Sequence, residues 1–180
     1  MPAEEWEQLD SELAFDNEWF RVRSDTVRLP SGRVQSGYLV GVLADYALVA
    51  AVTRDRRAVL VRQWKQGVRR LTLELPGGAI EEGETAAEAA ARELREETGY
   101  VGSGVEHLAS LDVDASKSAN QGHVFLARDA ELLARPEPHE MEDPEIVLIE
   151  LEAVRTLIER GEIQGAASVV GLLLTLERLQ

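Results

Sequence analysis

The chain has 180 residues, of which 33 are Asp or Glu and 19 are Lys or Arg, and its formal net charge is −14. Such a chain is a poor candidate for binding a nucleic-acid polymer or an anionic membrane surface, since both depend on Lys and Arg. With 44% hydrophobic residues it is expected to fold, as one domain with a small appendage. It has no Cys, no apolar run that could span a bilayer and no signal-peptide pattern, so we expect a cytoplasmic protein.

The charged residues are unevenly distributed. Residues 1–20 and 136–154 each carry seven acids without Lys or Arg, and residues 80–100 carry seven acids with two arginines. Residues 54–70 hold seven bases and one acid. Charge runs are usually solvated surface, but acidic clusters beside a basic stretch also fit a site for a metal and a phosphorylated ligand. The spacing within the clusters has to decide between these interpretations.

In chain order, residues 2–16 are predicted to be frayed or weakly helical. Eight segments rich in β-branched, aromatic or alternating apolar residues are predicted strands: 18–29, 38–43, 46–52, 58–64, 71–75, 105–113, 123–127 and 146–151. Pro76-Gly77-Gly78 is predicted to end the fifth strand as a tight loop. Helices are predicted at 86–98, with Gly99 as its cap, and at 152–160 and 166–179. This order predicts an α/β fold, in which helices pack on the faces of a mixed sheet.

The first predicted helix carries three carboxylates, Glu93, Glu96 and Glu97, within about 100° of arc. The next face is small and apolar and is expected to pack on the sheet: Ala87, Ala91, Leu94 and Thr98. Carboxylates at this spacing repel one another unless a cation is present, and Mg²⁺ is often held by one or two carboxylates plus substrate phosphates. The spacing therefore indicates a metal site, with Arg92 and Arg95 near enough to hold the glutamates.

The segment from Gly78 to Tyr100 carries the pattern G-x5-E-x7-R-E-U-x-E-E-x-G-U, in which U is a bulky apolar or aromatic residue. Every position matches: Gly78, Glu84, Arg92, Glu93, Leu94, Glu96, Glu97, Gly99 and Tyr100. This pattern is the Nudix box, so the chain resembles the Nudix hydrolases. The resemblance implies the Nudix fold, an α/β/α sandwich with a mixed sheet. It also implies Mg²⁺-dependent hydrolysis of a nucleoside diphosphate linked to another group, with Mn²⁺ as an alternative cation.

The resemblance also implies roles for single residues. Glu93 and Glu97 correspond to the main metal ligands, and Glu96 to a further ligand or a water-orienting group. Arg92 corresponds to a residue that orients the glutamates, and Gly77 to one whose backbone carbonyl binds the metal. For Glu84, a packing or outer-sphere role is implied as readily as a catalytic one.

The flanking residues are most similar to the ADP-ribose and nucleoside-diphosphate-sugar pyrophosphatase branch of the family. The similarity lies in residues 58–78 and 161–168. It implies hydrolysis of a nucleoside diphosphate sugar to a nucleoside monophosphate and a sugar phosphate. The candidate substrate contacts are Arg62, Arg69, Arg70 and Glu74.

One stretch departs from the ADP-ribose pattern. Many ADP-ribose hydrolases have a Pro about 15 residues after the box, where this chain has Asp114-Ala115-Ser116. GDP-mannose therefore stays open as a substrate, as do dinucleoside polyphosphates and NADH. A non-catalytic sensor of nucleotide sugars is a further alternative, against which the intact Glu93, Glu96 and Glu97 argue.

Relatives in this branch suggest two more expectations. Their general base often lies in an acidic loop outside the box, and here that loop would supply Glu140 or Glu142, with Glu142 slightly preferred. Their N-terminal β segment pairs or swaps with a second subunit. Residues 1–44 are therefore predicted to be a dimerisation segment and 45–180 the catalytic domain of a homodimer, the alternative being extra strands on the monomer's own sheet.

Overall fold

The computed structural model describes residues 4–18, 20–137 and 144–180, which contain twelve strands and three helices. The strands are β1 (Glu7–Asp16), β2 (Arg21–Arg28), β3 (Val34–Val42), β4 (Tyr46–Val52), β5 (Arg57–Lys65), β6 (Arg70–Glu74), β7 (Gly77–Ala79), β8 (Tyr100–Val101), β9 (Val105–Asp112), β10 (Gln121–Ala127), β11 (Glu131–Leu132) and β12 (Glu145–Glu150). The helices are α1 (Ala86–Thr98), α2 (Leu151–Glu159) and α3 (Ala166–Arg178). Within the described ranges, no helix combines the length and apolarity needed to cross a membrane.

The chain divides into two compact units, residues 1–44 with 112–121, and residues 45–111 with 122–180. The first unit contains an antiparallel three-stranded sheet in the order β1-β2-β3. The N-terminal strands thus form a sheet of their own, which excludes the alternative that they extend the main sheet.

The weakly helical segment predicted for residues 2–16 is wrong, because most of it forms β1. Pairing with β2 outweighs local propensity: Glu7 lies 2.5 Å from Arg28 and Asp16 lies 2.8 Å from Arg21, and opposite charges on facing positions stabilise a sheet. Two irregularities in the β1–β2 register also break the two-residue alternation by which a strand is recognised. These ion pairs account for part of the N-terminal acidic cluster.

The second unit is built on a seven-stranded sheet with the order β12-β5-β4-β10-β9, in which β6 pairs with β5 and β7 with β4. β10 runs parallel to β4, whereas β5 and β7 run antiparallel to it. The sheet is therefore mixed, as predicted.

Strand β4 shows why the sheet carries helices on both faces. Ala47, Val49 and Ala51 belong to a core shared with α1, whereas Ala50 and Val52 belong to a core shared with α2 and α3. Because both of its faces are covered, β4 is apolar without interruption. Each valine buried in this way contributes roughly 1.5–3 kcal/mol relative to an exposed one. The resulting α/β/α sandwich confirms the predicted fold class.

The loop predicted at Pro76-Gly77-Gly78 is partly wrong, because Gly77–Ala79 form β7. Strands β4 and β5 pair only at their hairpin end, and β7 pairs with the first half of β4. A Cβ at Gly77 would overlap the Ala47 carbonyl oxygen, and one at Gly78 would overlap the Glu93 carboxylate. Glycine is rare in strands, but here it permits the close approach of backbone and side chain. The two-residue strands β8 and β11 were not predicted, since no pattern can be read over two residues.

Candidate functional site

Helix α1 is fixed at both ends. Thr85 and Glu88 form a capping box: the Thr85 hydroxyl accepts from the Glu88 amide at 3.3 Å, and the Glu88 carboxylate accepts from the Thr85 amide at 2.8 Å. At the other end Gly99 has φ 72° and donates its N–H to the Arg95 carbonyl, as the prediction of a glycine cap requires. The caps fix where the helix begins and ends, and the packing of Ala89, Ala90 and Leu94 against the sheet sets the direction of its glutamates.

The predicted packing face of α1 is partly wrong. Ala91 is exposed, and the buried side chains are Ala89, Ala90, Glu93, Leu94, Glu97 and Thr98. An alanine-rich helix has little contrast in side-chain size, so its sequence does not single out one apolar face. The observed rotation turns two carboxylates towards the sheet and leaves Glu96 half-buried.

These two carboxylates lie against Gly77 and Gly78, the first two residues of β7, which are called the glycine loop below because they follow the turn after β6. Glu93 is 5% exposed and Glu97 is 1% exposed. The Gly77 amide donates to Glu97 Oε2 at 2.9 Å, and the Glu93 carboxylate occupies the space that a side chain at Gly78 would need. Buried charges require hydrogen-bond partners, and the loop supplies one directly.

Arg92 connects the acidic groups. Its Nη1 donates to Glu93 at 2.8 Å and to Glu96 at 3.1 Å, while Nε and Nη2 donate to the two oxygens of Glu84 at 2.9 and 3.0 Å. Nη2 also donates to the Ala79 carbonyl at 3.0 Å. The planar guanidinium suits such a fork of acceptors. Glu84 and then the other carboxylates raise the pKa of Arg92, and Arg92 in turn lowers the pKa of Glu84.

Glu84 is the residue of the box whose role the resemblance left most open. In the structure Glu84 precedes helix α1, and its carboxylate accepts hydrogen bonds from the Arg92 guanidinium. The same carboxylate also accepts a hydrogen bond of 3.2 Å from the Glu81 amide. The sequence signal that could have indicated this contact is the fixed spacing of eight residues between Glu84 and Arg92 in the box. Arg95, the other arginine expected to hold the glutamates, is exposed.

The oxygen donors gathered here suit a hard divalent cation. Within the part of the chain that the structure describes, no three His, Asp or Glu side chains are arranged to hold a metal ion by themselves. The buried Glu93 and Glu97 carboxylates beside the glycine loop fit a cation that takes further ligands from backbone, water or substrate phosphates, as Mg²⁺ typically does.

Glu140 and Glu142, the predicted candidates for the general base, lie outside the described residues. The structure describes the residues on either side of this segment, up to 137 and from 144. The Glu137 amide donates to the Glu96 carbonyl at 2.7 Å, and Glu145 on β12 forms an ion pair with Arg62 at 3.0 Å.

The four candidate substrate contacts lie on the β5–β6 hairpin. Arg62 on β5 pairs with Glu145, and Arg69 lies in the turn with φ 51°. Arg70 faces Lys65 across the hairpin. Glu74, at the end of β6, lies 3.9 Å from the Lys65 ammonium.

The basic stretch 54–70 does not form one surface. At the β4–β5 turn, Arg54 pairs with Glu131 at 3.1 Å and Arg56 pairs with Glu152 at 3.2 Å. The remaining bases lie along β5, in the β5–β6 turn and at the start of β6. The part of this stretch around the β4–β5 turn is therefore engaged by acids of β11 and α2.

Residues 43–167 match the NUDIX domain, and residues 6–40 match the nucleoside diphosphate sugar hydrolase N-terminal domain. The chain is 28% identical over 176 residues to the ADP-ribose pyrophosphatase of Bacillus subtilis (strain 168), covering 96% of this chain and 93% of that protein. It is 30% identical over 175 residues to the ADP-ribose pyrophosphatase of Mycobacterium tuberculosis (strain ATCC 25618 / H37Rv), covering 96% and 84%.

A solved structure described as an ADP compounds hydrolase has the same fold. Its TM-score is 0.88 at 23% sequence identity, over 99% of this chain and 96% of that one. The NUDIX match extends over most of the chain and includes the whole Glu93–Glu97 site. The chain therefore belongs to the Nudix family and is a Nudix hydrolase.

Proposed function

We propose that this hydrolase cleaves the diphosphate bond of a nucleoside diphosphate sugar, with ADP-ribose as the first candidate and AMP and ribose 5-phosphate as its products. The observation that carries the proposal is the buried pair Glu93 and Glu97 against the glycine loop, with Arg92 holding Glu93. The two relatives named as ADP-ribose pyrophosphatases support the choice of substrate. The N-terminal match favours a sugar nucleotide over a dinucleoside polyphosphate or NADH.

We propose Mg²⁺ as the cation, with Mn²⁺ as a substitute, held by Glu93, Glu97, Glu96 and the Gly77 carbonyl. When bound, such a cation neutralises charge on the diphosphate and lowers the pKa of a coordinated water. Arg92 fixes the orientation of the Glu93 and Glu96 carboxylates through its bonds of 2.8 and 3.1 Å. A preoriented acidic site needs less rearrangement during the reaction.

Hydrolysis adds one water molecule across the P–O–P bridge. The water oxygen forms a bond to one phosphorus, the bond from that phosphorus to the bridging oxygen breaks, and a water proton passes to a general base. We assign the base to Glu142, with Glu140 second and Glu96 as a group that orients the water. The family resemblance supports this assignment, since relatives often carry the base in an acidic loop outside the box, and a base must come within hydrogen-bond reach of the water.

Arg62, Arg69 and Arg70 are the proposed contacts to the phosphates or ribose. To contact the substrate, Arg62 would have to break its ion pair with Glu145. The cost is small, because an exposed ion pair of this kind contributes only about 0–1 kcal/mol. Glu74 is the fourth candidate, although its observed partner is Lys65. Substrate affinity is therefore expected to depend on the arginines more than on Glu74.

We also propose a homodimer formed through residues 1–44, in the cytoplasm. Strand β1 is exposed along its whole length, and large apolar side chains of its sheet are exposed: Leu9, Leu13, Phe15, Val34 and Leu39. Apolar patches and unpaired strand edges commonly mark protein interfaces. Light scattering of the full chain is expected to give the mass of two copies, and Leu13→Glu with Leu39→Glu to give one. A wild-type monomer would contradict the dimer.

The substrate is tested with a panel of ADP-ribose, GDP-mannose, NADH and a dinucleoside polyphosphate. Each is incubated with the protein and Mg²⁺, and phosphate is measured after phosphatase treatment. The highest kcat/KM is expected for ADP-ribose or another sugar nucleotide. Binding without turnover on every compound would instead support the alternative of a non-catalytic sensor.

A further inference from the structure

The first turn of α3 is bonded to the chain that leads into the glycine loop. Ser168 Oγ accepts a hydrogen bond of 3.1 Å from the backbone amide of Leu75. Ser168 is 3% exposed and Leu75 is 2% exposed, so water does not compete for this bond. It joins residues 93 positions apart in sequence, and it therefore ties the C-terminal helix to the end of β6.

This bond is the first of three that hold successive residues. The Pro76 carbonyl accepts from the Val49 amide at 3.0 Å, and the Gly77 amide donates to Glu97 at 2.9 Å. Because proline has no N–H, Leu75 is the last residue before the glycine loop whose amide can be anchored. The segment from Leu75 to Gly77 is thus held in turn by α3, by β4 and by α1.

Glu74 brings α3 still closer to this segment. A Cβ on Gly165, the residue before α3, would lie 3.3 Å from Glu74 Oε1 and 3.5 Å from Ser168 Oγ. The helix has no side-chain cap of its own at this end, and a carboxylate near a helix N-terminus is favourable. The glycine at 165 thus leaves room for Glu74 beside the first turn, where Ser168 meets Leu75.

We propose that Ser168 is a positioning residue of the hydrolase, which sets the glycine loop against Glu93 and Glu97 by holding the Leu75 amide. The consequence for metal binding and catalysis rests on the proposed function. The effect on the loop itself does not, because it depends only on the observed bonds. A purely structural role, in which the bond only helps α3 to pack, makes different predictions.

Thr175 provides a matched control on the same helix. It lies two turns after Ser168 and is fully buried, and its hydroxyl has no hydrogen-bond partner among the described residues. Thr175→Val and Ser168→Ala therefore each remove one buried hydroxyl from α3. Only Ser168→Ala also removes a bond to the glycine loop.

The test compares full-length wild type with Ser168→Ala, Ser168→Cys and Thr175→Val. Hydrogen exchange of the Leu75 and Gly77 amides is measured without metal, and Mn²⁺ affinity is measured by EPR titration. For Ser168→Ala we expect exchange at Gly77 to be at least tenfold faster, and Mn²⁺ affinity and kcat to fall about tenfold, the lower end of effects seen for groups that orient metal ligands. Ser168→Cys keeps the shape of the side chain but has a weaker acceptor, so its exchange rate at Gly77, its Mn²⁺ affinity and its kcat should lie between those of wild type and Ser168→Ala. For Thr175→Val, all three quantities should match wild type.

The proposal is overturned if Ser168→Ala speeds exchange within α3 but not at Gly77, or leaves Mn²⁺ affinity equal to that of Thr175→Val. If Ser168→Ala does not fold, Ser168→Cys decides the question in the same assays. The exchange measurement needs neither substrate nor turnover. A failure of the proposed substrate is thus distinguishable from a failure of the role of Ser168.

Discussion

Replacing Gly78 by Ala tests the contact between the glycine loop and helix α1. The three atoms nearest to the added Cβ would all belong to the Glu93 carboxylate, and none would be farther than 3.0 Å. Glu93 cannot move into solvent, because it is 5% exposed and bonded to Arg92 at 2.8 Å. Either the carboxylate or the loop must therefore shift by about 1 Å, a displacement that can lower catalysis about 100-fold.

The same overlap should lower the free energy of unfolding by about 1–3 kcal/mol, the usual cost of overpacking. The assays are kcat/KM for ADP-ribose with Mg²⁺, and urea unfolding followed by circular dichroism. Gly67→Ala is the matched control, because a Cβ at Gly67 would meet no atom within 4 Å. If Gly78→Ala equals Gly67→Ala in both rate and stability, the packing of Glu93 on the loop does not matter for catalysis and the reasoning is refuted.

Three more predictions concern the acidic residues around Arg92 and the end of β6. Arg92→Gln removes the charged donor that bonds to the buried Glu93 at 2.8 Å and should lower the free energy of unfolding by about 3 kcal/mol. Added Mg²⁺ should restore part of the lost thermal stability, and no restoration would argue against a cation at Glu93. Because Arg92 holds the pKa of Glu84 below its ordinary 4.5, the stability that ionised Glu84 contributes is complete above about pH 4.5 and is lost as pH falls through the lowered folded pKa. The difference in urea midpoint between wild type and Glu84→Gln should therefore shrink below pH 4.5, and a constant difference would contradict the ion pair. Glu74→Gln should lower the free energy of unfolding by about 0.5–1 kcal/mol, since the carboxylate lies near the start of α3. It should raise KM less than Arg62→Gln does, and a larger rise would contradict the greater weight given to the arginines.

Local signals predicted the parts of the fold in which neighbours in sequence determine the structure. Helix α1 and strand β4 have the predicted bounds, because a helix-favouring composition, a glycine cap and an uninterrupted apolar run are all local features. The Nudix box likewise places Glu93, Glu96 and Glu97 on one helix.

Features that depend on distant partners could not be predicted in this way. Strand β1 is stabilised by ion pairs to β2, and β7 is defined by its pairing with β4. The burial of Glu97 depends on the Gly77 amide, twenty residues earlier. The bond from Leu75 to Ser168 spans half the chain, and no periodicity within either segment indicates it.

The central claim is that Glu93 and Glu97 form a cation-dependent site for diphosphate hydrolysis. The most direct measurement follows ADP-ribose with Mg²⁺ by ³¹P NMR, in parallel for wild type and Glu97→Gln, with an EDTA-treated sample as control. Wild type should form AMP and ribose 5-phosphate, EDTA should abolish the reaction, and Glu97→Gln should be slower by several orders of magnitude while remaining folded. A near-wild-type rate for Glu97→Gln, or hydrolysis that persists in EDTA, would contradict the claim.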